Sequence, residues 1–326
     1  MRPGFSFRHH IAMTMTMTMT ATFRLSILAA LLLTGPAALA ASCGQAPKGE
    51  LAAQRIAAVQ PSREGASLYE GPVWRGGALY FSDFATSAPF PSRIRKLSSG
   101  DSVVTVVEDS GSNGLAVDAR GALVAATHKD KAVAAYPPGG GKRVAVAASY
   151  MGAVFNSPND IAIAADGTLY FTDPDYQKAA APGGQPVTGV YRVGTNGDVT
   201  LVDGSRRNPN GIALSPAGDT LYVTAADGAL HAHAIADGRP APGRLLVAGL
   251  DGPDGMTVDC HGNLYVTEHS ARRLRVFSPR GGELATIRVD ANVTNAAFGG
   301  DDGKTLFITG AGAIWRVKLD VTGAPY

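Results

Sequence analysis

Asn159-Asp-Ile-Ala-Ile163, followed by Leu169-Tyr-Phe-Thr-Asp173, is the stretch that decides the fold. Two apolar runs, the second rich in Leu, Tyr and Phe, are joined by the turn Ala165-Asp166-Gly167 and read as a β-hairpin. The same phrase recurs along the chain. Glu70-Gly-Pro-Val-Trp74 leads to Ala78-Leu-Tyr-Phe-Ser-Asp83, and Asn113-Gly-Leu-Ala-Val117 leads to Leu123-Val-Ala-Ala-Thr-His128. Asn210-Gly-Ile-Ala-Leu214 precedes Leu221-Tyr-Val-Thr224, and Asp254-Gly-Met-Thr-Val258 precedes Leu264-Tyr-Val-Thr-Glu-His269. Asn295-Ala-Ala-Phe298 with Leu306-Phe-Ile-Thr309 is the last. Successive openers lie roughly 40 to 50 residues apart, the period of a propeller blade.

Two further strand-like segments follow the hairpin in most repeats, as in Gly189–Val193 and 198–202, so each repeat holds four strands. The last repeat supplies three, ending at Ala313–Leu319. The segment Arg55–Gln60 precedes the first repeat and has no blade of its own. The reading is therefore an all-β, six-bladed β-propeller over 53–326, closed by pairing of the N- and C-terminal strands, which removes the exposed sheet edges.

Composition agrees. Of 326 residues, 45% are hydrophobic and 17% charged, with 40 Gly and 20 Pro, which excludes wholesale disorder and suits a chain of many turns. The 29 basic residues nearly balance 27 acidic ones, giving no support to a nucleic-acid partner. A monomer is expected. Arg24, the apolar run Leu25–Leu33 and Ala38-Leu39-Ala40 read as a secretory leader over 1–42, with low-complexity Met-Thr alternation at Met13–Thr20. The run is too short to cross a bilayer, which takes about 20 apolar residues. Small residues before Cys43 resemble a lipoprotein processing site, so the expected location is the bacterial periplasm or a lipid anchor on Cys43. Residues 43–52 read as a linker, and a Cys43–Cys260 disulfide is not expected.

If the first strand of each blade lines the channel, Glu70, Asn113, Asn159, Asn210, Asp254 and Asn295 converge at one end of it. Asn-Gly and Asp-Gly are also ordinary turn formers, but recurrence at one phase, including a Glu that no turn requires, favours a site. Carboxylates and amides without Cys or His are hard donors suited to one divalent cation, calcium first, with magnesium, manganese or zinc as alternatives. The returning strand places Asp83, His128, Asp173 and His269 on a second tier, for substrate contact or proton transfer. Pro174–Thr188 reads as a flexible lid, and His231 with His233 as a surface strand.

Glu70–Trp74, 156–160, 170–174, 208–211, 252–256 and 294–300 together resemble the senescence marker protein / gluconolactonase / luciferin-regenerating enzyme family, especially its bacterial gluconolactonases. The resemblance implies a six-bladed propeller that hydrolyses a small-molecule lactone. It implies metal ligation by Glu70, Asn210 and Asp254, with Asn159 as a further ligand or substrate contact, and Asp254 as the acid/base. His128 and His269 are the other catalytic candidates, and Asn113, Asn159, Asp173 and Asn295 the substrate contacts. Two positions depart from the pattern. Ser157 replaces the sugar-binding Arg of animal members, and Gly71 replaces an acidic residue that helps hold a second calcium in related paraoxonases, leaving Asp160 without that partner. A phosphotriesterase or lactonase acting on an apolar ester, and a non-catalytic ligand-binding propeller, are the alternatives.

Overall fold

Apolar side chains on both faces of each four-stranded sheet leave no face for solvent, so every blade must stack against another. The computed structural model, which describes residues 43–61, 67–137 and 142–324, shows six such blades in a ring. The expected leader over 1–42 lies outside the described residues. Blade one comprises Ser67–Arg75, Ala78–Ala85, Ser92–Ser98 and Val103–Val107; blade two Ser112–Val117, Leu123–Thr127, Ala132–Tyr136 and Val144–Ala147. Blade three is Ile161–Ile163, Leu169–Asp173, Gly189–Val193 and Val199–Asp203; blade four is Pro209–Leu214, Thr220–Ala225, Ala229–Ala236 and Arg244–Val247. Blade five holds Pro253–Val258, Leu264–Glu268, Arg273–Phe277 and Glu283–Arg288; blade six holds Val293–Gly299, Thr305–Gly310 and Ile314–Lys318. The core is accordingly split into six layers, one per seam. Val73 and Ile94 meet Leu115 and Tyr136 between blades one and two, for example, and Tyr170 and Val190 meet Ile212 and Val223 between three and four.

The first strand of each blade is innermost. In five of them the pairing with the second strand slips at the opener, between Glu70 and Val73, Ser112 and Leu115, Pro209 and Ile212, Pro253 and Met256, and Val293 and Ala296. Such a bulge takes backbone groups out of the ladder and re-aims side chains. The freed carbonyls still need partners, because burial without one is costly. Hydroxyls on the second strands supply them across the seams. Ser82 Oγ donates to Asn113 O (2.5 Å), Thr172 Oγ1 to Asn210 O (2.6 Å), Thr224 Oγ1 to Asp254 O (2.6 Å) and Thr267 Oγ1 to Thr294 O (2.8 Å). The seam from six to one is bridged by Thr294 Oγ1 to Tyr69 O (2.5 Å), and that from two to three by Gly114 N to Asn159 O (2.6 Å).

The ring closes as expected in kind but through a shorter strand. Gln54–Arg55 pairs antiparallel with Trp315–Arg316, and Ile56 N continues to Ile314 O at 2.9 Å. The chain then leaves the sheet, and Ile56 and Val59 pack with Leu79, Phe81 and Phe307.

Two expectations are corrected just before it. Residues 43–52 are not a free linker, because Gly49–Ala52 pairs in parallel with Ala285–Arg288 as a fifth strand of blade five. Cys43 and Cys260 form a disulfide, with Cα atoms 5.9 Å apart. The backbone brings them together: Thr322 N donates to Cys43 O and Cys260 N to Thr322 O, both at 3.1 Å, so both chain ends meet at one turn of blade five. A sulfur used in this way is not free to carry the lipid expected on Cys43.

Two outcomes follow. Cys260→Ser should release residues 43–52 while the ring survives, read as fast amide exchange confined to Gly49–Ala52 and a lower melting temperature, on the scale of about 2–5 kcal/mol for a native disulfide. Thr224→Val, which keeps the shape but strands the Asp254 carbonyl, should cost about 1–3 kcal/mol in denaturant unfolding. A Thr224→Val protein of parental stability would show that the seam hydroxyls are dispensable.

Candidate active site

Five of the six openers sit at a bulge, and a backbone carbonyl at or beside each opener is held from the neighbouring blade, which leaves the side chain to turn toward the axis. Close approach of the inner strands is what the following Gly provides. A Cβ on Gly71 would stand 2.5 Å from the Asn113 carbonyl oxygen, and one on Gly211 would collide with the Asp254 carbonyl. The Asn-Gly and Asp-Gly pairs are therefore seam positions rather than turns.

The openers are buried: Asn113, Asn159, Asn210, Asn295 and Glu70 are all under a tenth exposed, and the side chain of Asp254 is 14% exposed. Their convergence is read from interactions across the ring. Asn295 of blade six donates through Nδ2 to Asp160 Oδ2 of blade three at 3.3 Å. Asp160 also accepts the amides of Ile161 (3.0 Å) and Ile212 (3.2 Å), so one carboxyl joins blades three, four and six. Burial, then the carboxylates of Asp254 and Asp160, hold Glu70 well above the usual carboxylate range. Burial pushes Asp160 up to about 7 and raises Asp254, whose upward shift is opposed by His269 and Asn210. Three acidic groups thus share one low-dielectric space, and repulsion between them favours protons or a cation.

The oxygen of the Asn113 amide, buried in the same ring, has no hydrogen-bond partner among the described residues. Glu70, Asn159, Asn210 and Asp254 offer two carboxylates and two amide oxygens, and this donor set fits a hard divalent cation whose charge would relieve the acidic repulsion.

The second tier divides. His269 joins the ring: its Nδ1 is 3.5 Å from Asp254 Oδ2 and 2.7 Å from Val293 O. The hydrogen bond with Asp254 raises its affinity for a proton. His128, Asp173 and Asp83 are turned to other work. His128 Nε2 is engaged with Phe90 O at 2.8 Å, its ring lies edge-on to Phe84 and Phe90, and burial pushes its pKa down to about 4. Asp173 accepts the amides of Asn156 and Ser157, both at 2.8 Å, and so shapes the turn that presents Asn159. Asp83 is ion-paired with Arg93 at 3.0 Å. His231 and His233 are not on the surface but buried, one 3.0 Å from Asp227 Oδ2 and the other 3.0 Å from Ala241 O.

Sequence reasoning considered Asp160 only in connection with a second calcium and passed over Tyr176. Asp160 stands where blades one, two, four and five have Gly, and that break in the pattern was its signal. Tyr176 lies in Pro174–Thr188, which is not the loose lid expected, since Lys131 Nζ donates to Lys178 O (2.9 Å) and Ser157 Oγ to Pro174 O (2.5 Å). Burial pushes its phenol pKa up to about 12, with Asp254 adding to the rise and Asn210 opposing it. A repeat pattern holds no trace of it. A cleft of about 440 Å³ between blades six and one lies apart from the ring, and its cations are already paired, Arg316 with Asp101 and Lys318 with Asp302.

Residues 68–312 match the family model described as SMP-30/gluconolactonase/LRE-like region. A gluconolactonase of Zymomonas mobilis is 30% identical over 292 residues, covering 78% of this chain and 79% of the relative. A solved gluconolactonase from Xanthomonas campestris superposes with a TM-score of 0.71 at 28% identity, covering 85% of this chain and 98% of that one. The calcium-binding protein regucalcin from Agrobacterium tumefaciens shares the fold, with a TM-score of 0.69 at 18% identity over 86% of this chain and 97% of that one. Propeller, opener ring and family model coincide on the same residues, and the chain belongs to the SMP-30/gluconolactonase/LRE-like family.

Proposed function

We propose that this chain is an exported lactone hydrolase that opens a sugar lactone over the opener ring, with one divalent cation, calcium in the first instance, held by Glu70, Asn159, Asn210 and Asp254. The observation that carries the reading is the buried carboxyl group of Asp254, set among Glu70 and Asp160 and bonded to His269. Gluconolactonases among the relatives support the substrate class. When bound, such a cation polarises an ester carbonyl and stabilises the oxyanion.

The chain's own groups account for the rest. Asp254 is the base that takes a proton from the attacking water. Burial raises its proton affinity, and His269 opposes that rise. His269 positions that carboxylate through its Nδ1, which the Val293 carbonyl fixes in place. The unengaged amide oxygen of Asn113 is available to a substrate hydroxyl. Asn295 supports the site through Asp160.

Export rests on the leader-like segment and on the disulfide, a bond that persists in oxidising compartments. With Cys43 committed to Cys260, the mature protein is a soluble periplasmic one rather than a lipid-anchored one.

Purified chain should open D-glucono-1,5-lactone, lose activity on chelation and regain it with Ca²⁺. Asp254→Asn should lower kcat by about 10²–10⁴-fold with cation still bound, and Glu70→Gln should be partly rescued by raising the cation concentration. Full activity in Asp254→Asn would remove it as the base.

The raised carboxyls make a second forecast. A carboxyl whose folded pKa lies above its unfolded value near 4 stabilises the fold only while protonated, so stability falls as pH rises toward the folded value, about 7 for Asp160. The chelated protein should therefore melt at a lower temperature at pH 8 than at pH 5. Saturating Ca²⁺ should narrow that gap, since a ligand at 100 times its Kd adds about 2.7 kcal/mol. Melting insensitive to both pH and cation would contradict the acidic cluster as the seat of binding.

A further inference from the structure

Backbone bonds, as well as the disulfide, build the turn at Cys260. Asp259 Oδ1 accepts the amides of His261 and Asn263, both at 2.9 Å, and Cys260 N donates to Thr322 O at 3.1 Å. Thr322 N donates in turn to Cys43 O at 3.1 Å, and Gly49–Ala52 pairs with Ala285–Arg288, so main-chain pairing also carries Cys43 to this turn. His261 Nε2 is engaged with Gly44 O at 2.8 Å, which holds the imidazole against the chain beside Cys43. One ligand atom from each of Cys43, Cys260 and His261 lies within 4.8 Å of the other two. The turn joins Val258 to Leu264 and so stands at the far end of its hairpin from the pairing of Pro253 with Glu268, beside Asp254.

Two sulfurs and an imidazole are a different donor set from the oxygens at the axis. They suit Zn²⁺, which takes thiolates at about 2.3 Å and imidazole at about 2.0–2.1 Å in a tetrahedron, leaving neighbouring ligand atoms roughly 3.5–3.8 Å apart. The three side chains are gathered on that scale. Thr322 Oγ1 donates to Cys260 Sγ at 3.1 Å, and a hydroxyl donor at that place favours a thiolate over a thiol. Both cysteines are partly exposed and His261 is exposed, so a reductant and an ion can reach all three.

We propose that Cys43, Cys260 and His261 form a redox-gated zinc site. Oxidised, the sulfurs are a disulfide and bind nothing; reduced, two thiolates and the imidazole hold one Zn²⁺, with water in the fourth position. The reductant is a dithiol, which is oxidised to its own disulfide while two electrons and two protons pass to Cys43 and Cys260. Zn²⁺ then displaces both thiol protons to solvent. In either state residues 43–52 are tied to blade five, first by a covalent bond and then by an ion, so the staple beside the closing strand survives reduction wherever zinc is present. The site is independent of the hydrolase reading.

The purified chain is titrated with Co²⁺ before and after reduction with dithiothreitol, which is then removed under anaerobic conditions. Cobalt held by oxygens at the axis gives no thiolate-to-metal charge-transfer absorption, so that band reads this site alone. The reduced chain should show a single saturable band and lose it to Zn²⁺, the competition giving the Zn²⁺ affinity; the oxidised chain should show none. His261→Ala should keep the disulfide and weaken Zn²⁺ binding to the reduced chain by at least about tenfold, the lower end of what loss of even a supporting residue costs a metal site. Amide exchange at Gly49–Ala52 should quicken on reduction and slow again with Zn²⁺, and in Cys260→Ser it should stay fast whatever zinc is added. A reduced chain without the band overturns the proposal. So does parental Zn²⁺ affinity in His261→Ala, or exchange that Zn²⁺ fails to slow. A disulfide that dithiothreitol leaves intact overturns it as well, because the gate would never open.

Discussion

The hydrogen bond from a second-strand hydroxyl to a carbonyl of the next blade is the constraint on which the rest of this propeller depends. At four of the five bulged openers the ladder fails to satisfy the backbone and Ser82, Thr172, Thr224 and Thr267 satisfy it from next door, while Thr294 does so for blade one. The bond does two things at once. It locks neighbouring blades in rotation, and it frees the opener's side chain from any part in holding the sheet together. Apolar packing in the six seams is non-directional and would tolerate small slips. A buried hydroxyl held at hydrogen-bond distance from the next blade's carbonyl is directional, so the seam bonds help define the radius at which the openers meet.

That radius explains the electrostatics. Glu70, Asp160 and Asp254 come from three blades, and among the described residues no arginine pairs with them, His269 beside Asp254 being the one basic side chain in contact. The outer carboxyls, by contrast, are each matched: Asp83 with Arg93, and Glu268 with Arg273. Asp83 and Glu268 are thus matched by guanidinium groups and Asp173 by backbone amides, whereas at the axis Asp254 and Asp160 raise the proton affinity of Glu70. Buried like charges persist where they serve a function, and here the rigid ring, rather than any local interaction, keeps them from moving apart.

The ring was legible in the sequence because a repeat imposes one geometry on six positions, so Glu70, Asn113, Asn159, Asn210, Asp254 and Asn295 were marked by phase alone. His269 was legible for the same reason, since its strand ends beside Asp254. His128 and Asp173 share that phase yet serve locally, because the short loops around Phe90 and Asn156 bring backbone groups that capture them first. Tyr176 sits in an insertion outside the period, where nothing in the repeat dictates its direction. The disulfide was missed because linear proximity to a leader said nothing of the Thr322 backbone that brings Cys43 to Cys260.

The closing strand also sets a clock. Gln54–Arg55 is made early in synthesis and its partner Trp315–Arg316 near the end, and the Cys43–Cys260 bond spans 217 residues. No intermediate length of chain can complete the circle, and contacts of such long range form slowly. Blade six lacks its outer edge until Gln54–Arg55 and Trp315–Arg316 are present together, so its cooperativity belongs to the whole ring rather than to any one repeat.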